Sequence, residues 1–137
     1  MQFNFENHIA EIPTSSLCEK EECMSLLDQI TDVVAPELDL VFSGAEQRIV
    51  LEENERYELV LCTWYPDSDR EWHTHPQTKC YFKCIRGCLH ERRETKENLI
   101  KCGEHAYIDD SRGGHKVTWR GESTETPAAS VHLYIKE

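Results

Sequence analysis

The chain has 137 residues, enough for one domain around one core. A net charge of −11 argues against DNA or RNA as a partner, and no apolar run approaches the ~20 residues of a membrane span. Seven cysteines, an odd number, follow a start (Met1-Gln2-Phe3-Asn4-Phe5-Glu6) without the basic and apolar regions of a secretory signal, so reduced thiols in the cytoplasm are expected.

Residues 1–14 read as a loose arm ended by Pro13, and Ser16-Leu17-Cys18-Glu19 fits a helix capping box. Beyond it Cys23, Leu26, Leu27, Ile30, Val33 and Val34 recur at three and four, the apolar face of a helix that Pro36 stops. That helix is expected to cover a sheet, and residues 1–37 form its arm-and-helix segment.

From residue 38 the pattern becomes short strands. They are expected at 38–42, 48–51, 57–64, 79–86, 88–94, 99–101, 106–108, 115–119 and 128–135. Residues 52–55 and 66–69 read as breaks, and Gly87 as a hairpin or bulge. Many short strands separated by turns mean a sandwich or barrel. The fold class is mainly β: a small barrel over residues 38–137 with a short N-terminal helical segment, in one domain.

Residues two apart on an extended strand face the same side. His73 and His75 can therefore aim two imidazoles at one point, although seven histidines in 137 residues make such a pair unspecific alone. His115 follows Gly113-Gly114, which permit close backbone approach, and would supply a third imidazole. In the next strand Cys80, Phe82 and Cys84 share the inward face. In the last strand Ser130, His132 and Tyr134 share one face, opposite an apolar face of Val131, Leu133 and Ile135. An outlying alternative is zinc at Cys80, Cys84, Cys88 and His90, which lack the paired spacing of zinc ribbons.

Together these residues resemble a known pattern. His73-x-His75-x4-Cys80-x6-Gly87 is similar to the first cupin motif, with Cys where most cupins carry Glu, a substitution typical of the thiol dioxygenases and of the cysteine dioxygenase family in particular. Leu61-Cys62-Thr63-Trp64 lies at the family's distance before His73, and Cys80-Tyr81-Phe82-Lys83 resembles its Cys-Phe-x-Lys. The stretch 106–115, ending at His115, and Ser130-Val131-His132-Leu133-Tyr134 resemble the segments carrying the third ligand and the catalytic strand. The likeness covers residues 46–135. Where the family has Tyr-x-Arg this chain has Glu46-Gln47-Arg48, and a related branch acting on mercaptopropionate carries Gln there, so Gln47 and Arg48 both compete for that position. Family members also continue beyond the tyrosine with further strands, so the barrel is expected to lack them here.

The resemblance implies iron(II) held by His73, His75 and His115, a thioether cross-link between Cys80 and Tyr134, and Ser130 and His132 holding the tyrosine hydroxyl. It further implies Arg48 gripping the substrate carboxylate and Trp64 backing the tyrosine. L-cysteine and O2 would be the substrates and cysteine sulfinic acid the product, in cysteine catabolism and taurine biosynthesis, with the protein a cytoplasmic monomer. Such a ligand set suits the chemistry: three neutral imidazoles leave the ion its full charge, which favours an anionic thiolate, and leave three of six positions for the reactants. The alternatives are a catalytically silent cupin that binds metal or thiol, a dioxygenase for mercaptopropionate, and a structural zinc protein with Cys80 as fourth ligand.

Overall fold

Alternation along the strands sorts the side chains into two layers, and the helix covers one of them. The computed structural model describes residues 20–66, 71–74, 78–120 and 127–136. The expected arm, the capping box, the break at 67–69 and His75 lie outside them.

Helix α1 (Lys20–Val34) buries Cys23, Leu26, Leu27, Ile30 and Val34. It ends before Pro36, which opens a 3-10 turn at Ala35–Glu37. The sequence pattern suggested a strand at 38–42, but the chain winds into a second helical turn, α2 (Leu38–Val41). The reason is burial. A turn of helix puts Leu38 and Val41 together against the core and leaves Leu40 exposed, whereas a strand would align Leu38 with Leu40.

Eight strands follow among the described residues: β1 (Gln47–Glu53), β2 (Tyr57–Trp64), β3 (Thr78–Arg86), β4 (Cys88–Arg93), β5 (Glu97–Lys101), β6 (His105–Asp109), β7 (His115–Trp119) and β8 (Ala128–Lys136). They form two antiparallel sheets, ordered β1-β2-β8-β3-β6 and β5-β4-β7. The β1–β2 turn is set by Asn54, whose Oδ1 accepts from the Arg56 and Tyr57 amides at 2.8 and 3.0 Å.

Tyr57, Leu59, Leu61, Val131 and Leu133 point from the large sheet to the helix. Val60, Cys62, Trp64, Cys80, Phe82 and Cys84 point the other way and meet Leu89, Ile100 and Val117 of the small sheet. This second cluster fills the lumen. A hairpin at Gly87 is not formed: β3 and β4 belong to different sheets, and Gly87 is the corner between them. Its φ of 73° and the Ala128 Cβ, 3.0 Å from where a side chain would begin, both call for glycine. A register shift against β8 does occur just before it, between Cys84 and Arg86 rather than at Gly87.

Candidate metal centre

His115 opens β7 and is buried; His73 lies on the segment that crosses it. The two residues exchange backbone hydrogen bonds, His73 N to His115 O at 3.0 Å and His115 N to His73 O at 2.9 Å. Gly114 makes the crossing possible. A Cβ on it would overlap Trp72 Nε1 and stand 2.7 Å from the His73 carbonyl. The backbone thus fixes both rings before their side chains are considered.

The rings then converge, with Nε2 of His73 2.9 Å from Nε2 of His115. Their other nitrogens are engaged. Nδ1 of His73 is 3.0 Å from the Glu71 carbonyl, and Nδ1 of His115 is 2.8 Å from Glu91 Oε2. A carbonyl and an ionised carboxylate only accept, so in the neutral rings both Nδ1 atoms carry the proton and both Nε2 atoms present lone pairs. Two lone pairs facing each other repel unless a cation lies between them. Two nitrogens bound at right angles to one ion, with bonds of about 2.1 Å, stand about 3.0 Å apart. The pair therefore fits a transition metal ion. His75, the expected third ligand, lies outside the described residues.

Glu91 holds His115 in this state. It is 1% exposed on β4, on the lumen face with Leu89. Besides His115 it accepts from Asn98 Nδ2 and from Arg93 Nη2, both at 3.1 Å, while Arg93 Nε stands 3.0 Å away but off-line for a hydrogen bond. Burial pushes the Glu91 carboxyl up, but the hydrogen bonds from His115, Arg93 and Asn98 outweigh it and bring it down to about 2. A carboxylate behind a ligating histidine fixes the tautomer and raises the basicity of the ring. The pattern Leu89-x-Glu91-x-Arg93 was the sequence signal for this residue: a charged pair two apart, continuing the inward face of an apolar strand position.

The β8 residues lie in the same lumen. Ser130 Oγ accepts from Trp64 Nε1 at 2.8 Å and shares a 2.7 Å hydrogen bond with His132 Nε2. The His132 ring stacks on Phe82 at 5.0 Å between centroids, and Phe82 meets His115 edge-on at 6.1 Å, which joins the β8 face to the metal-binding end. Tyr134 lies parallel to His132 at 5.9 Å. Trp64 was expected behind Tyr134. It stands opposite Ala128, at the other end of β8, and backs Ser130 and His132 instead.

Cys80 is directly opposite Tyr134 in the β3–β8 ladder and is buried. Opposed residues on one face of an antiparallel pair have Cβ atoms about 5 Å apart, within reach of a bond between sulfur and ring. Burial pushes the Cys80 thiol well up, with smaller contributions from Cys62 and Glu91. Of the two candidates on β1, Arg48 is the one at the lumen, with its guanidinium carbon 5.7 Å above the Tyr134 ring. Gln47 turns away, to Ser43 Oγ and the Val41 carbonyl. The outlying zinc set is divided by the fold: Cys80 and Cys84 belong to the lumen cluster, while Cys88 and His90 alternate with the lumen-facing Leu89 and Glu91 on β4.

Residues 40–136 match the family model described as Cysteine dioxygenase type I. The chain is similar to the cysteine dioxygenase type 1 proteins of Bos taurus and Homo sapiens, 27% identical over 100 residues to each, which is 64% of this chain and 49% of theirs. It thus spans about half the length of the curated relatives it matches. Among solved structures it is similar to a cupin-2 domain containing protein from Shewanella frigidimarina, with a TM-score of 0.58, 16% identity and coverage of 80% of this chain and 98% of that one. A protein with a double-stranded β-helix domain from Klebsiella pneumoniae gives a TM-score of 0.58 at 19% identity, over 69% of this chain and 80% of the other. These likenesses assign the expected fold, a cupin barrel.

Proposed function

The chain belongs to the cysteine dioxygenase type I family, and from that premise we propose that it is an iron(II)-dependent thiol dioxygenase converting L-cysteine and O2 to cysteine sulfinic acid. The observation that carries this reading is the convergence of the His73 and His115 Nε2 atoms, 2.9 Å apart, at the end of the lumen that also holds Ser130, His132 and Tyr134. Iron(II), held by these two residues and His75, would supply the redox centre that brings thiol and O2 together.

The protein side chains do the rest. Glu91 fixes the tautomer and the aim of the His115 ring, and Arg93 and Asn98 keep Glu91 ionised. Arg48 orients the substrate through its carboxylate by charge-assisted hydrogen bonds, which sets the thiol in a fixed place. Tyr134 donates its hydroxyl proton as a hydrogen bond to that carboxylate. Its ring is steadied by His132 on one side and by the thioether to Cys80 that the ladder register allows. Trp64 and Ser130 hold His132 in turn. Phe82, Val60 and Cys62 keep this wall of the lumen dry. In the net reaction sulfur gains both atoms of O2, the S–H proton leaves to solvent, and the electrons given up by sulfur are those that O2 takes, so no outside reductant is required.

One domain, acting as a cytoplasmic monomer in cysteine catabolism and taurine biosynthesis, belongs to the same proposal. No helix among the described residues is long and apolar enough to cross a membrane.

The test is oxygen consumption by the iron(II)-loaded protein with cysteine under isotopically labelled O2. Uptake matched by cysteine sulfinic acid carrying two labelled oxygens is expected. Absence of uptake, or cystine as the product, would contradict the proposal.

A further inference from the structure

The Arg48 guanidinium already holds a carboxylate. Its Nη2 is ion-paired with Oε1 of Glu58, a residue of this same chain on the neighbouring strand. Glu58 is not a surface ornament. On β2 it alternates with Tyr57 and Leu59, which pack under the helix, and so shares its face with Val60, Cys62 and Trp64 in the lumen. In the ladder it stands opposite Tyr134, which stands opposite Cys80. The acid is also the more sheltered partner, its side chain 17% exposed against 45% for Arg48. Partial burial works against the charge on Arg48, but Glu58 outweighs it and holds the guanidinium above its ordinary value.

This pair changes what the site can recognise. A thiol that carries a carboxylate must either displace Glu58 from Arg48 or lie beside it, with two like charges a few ångströms apart. Either route subtracts from the gain of the new ion pair. A small thiol that carries an ammonium and no carboxylate makes no demand on Arg48, and Glu58 offers it a counter-charge. We propose that Glu58 is a specificity-determining residue: an internal carboxylate that competes with the substrate's carboxylate for Arg48 and shifts the preference of this site from carboxylate-bearing thiols toward small aminothiols. The inference rests on the thiol-dioxygenase reading for the identity of the site, and it concerns which thiols that site favours.

The test is equilibrium binding of mercaptopropionate, cysteine and cysteamine to the iron(II)-loaded full chain, measured by calorimetry without O2, for the wild type and Glu58→Gln. Glu58→Gln is expected to tighten mercaptopropionate and cysteine by about fivefold, the scale of a partly exposed ion pair, and to leave cysteamine no tighter than before. In an Arg48→Gln background the same change should tighten nothing. Weaker binding of the carboxylate thiols by Glu58→Gln would make Glu58 a mere support for Arg48 and overturn the proposal, as would an equal effect, or none, on all three thiols. Turnover measured alongside separates the two claims. Selective binding without sulfinate formation removes the dioxygenase reading alone, turnover without the selectivity change removes the role of Glu58 alone, and a chain that binds none of the three thiols loses both.

Discussion

His73 and His115 meet nitrogen to nitrogen, 2.9 Å apart, while the far nitrogen of each ring is already turned to an oxygen. The arrangement suits a cation held between the rings, and it is built by the backbone: two reciprocal amide hydrogen bonds and a glycine that lets the strands cross. Recognition and oxidation of a thiol are then questions about the residues arrayed along the lumen from that point.

Glu91 should matter to the metal more than its distance from any substrate suggests. Glu91→Gln keeps the volume but removes the anion behind His115 and leaves the Arg93 charge uncompensated in the interior. Iron(II) affinity is expected to fall ten- to a hundredfold, roughly, and stability by roughly 3 kcal/mol. Calorimetric metal titration and chemical unfolding check the two effects separately.

Gly114→Ala tests whether the crossing positions the metal pair. The added methyl would overlap Trp72 and the His73 carbonyl, so the His73 segment must move away from His115. A loss of about 1–3 kcal/mol is expected, with iron(II) affinity lost in protein that still folds by circular dichroism.

The opposition of Cys80 and Tyr134 predicts a visible covalent product. After incubation with iron(II), cysteine and O2, a second, faster band should appear on a denaturing gel. Cys80→Ser and Tyr134→Phe should each give a single band.

Asp28 pins the helix to the sheet by accepting from Lys83 Nζ and His105 Nε2, both at 2.9 Å. Slight burial raises its carboxyl, but Lys83 and His105 outweigh that and leave it below the ordinary carboxylate value. A depressed carboxyl contributes stability that is fully present above its unfolded value, about pH 4, and is lost as pH falls through the folded value. With Asp28 53% exposed, screening limits this to under about 1 kcal/mol. Thermal midpoints of the wild type and Asp28→Asn should therefore differ slightly at neutral pH and converge in acid.

Much of this was legible in the sequence wherever one strand face carried an unmistakable apolar partner. Val131, Leu133 and Ile135 fixed the direction of Ser130, His132 and Tyr134, and the helical spacing of Cys23 through Val34 survived intact. Residues 38–42 misled because a short apolar run suits strand and helix alike, and only the packing of Leu38 and Val41 against the helix layer decides. Gly87 misled because a corner between sheets and a tight hairpin share the same local chemistry. Glu91, despite its alternation with Leu89 and Arg93, and Glu58 were passed over for another reason. A charge reads as solvated until its partners, which come from other strands, are in place.

The most direct measurement is an anaerobic titration of the chain with iron(II), alongside His73→Ala and His115→Ala. One iron(II) per chain is expected for the wild type, with binding at least about a hundredfold weaker in each variant. Wild-type affinity in either variant would contradict a metal held between these two rings.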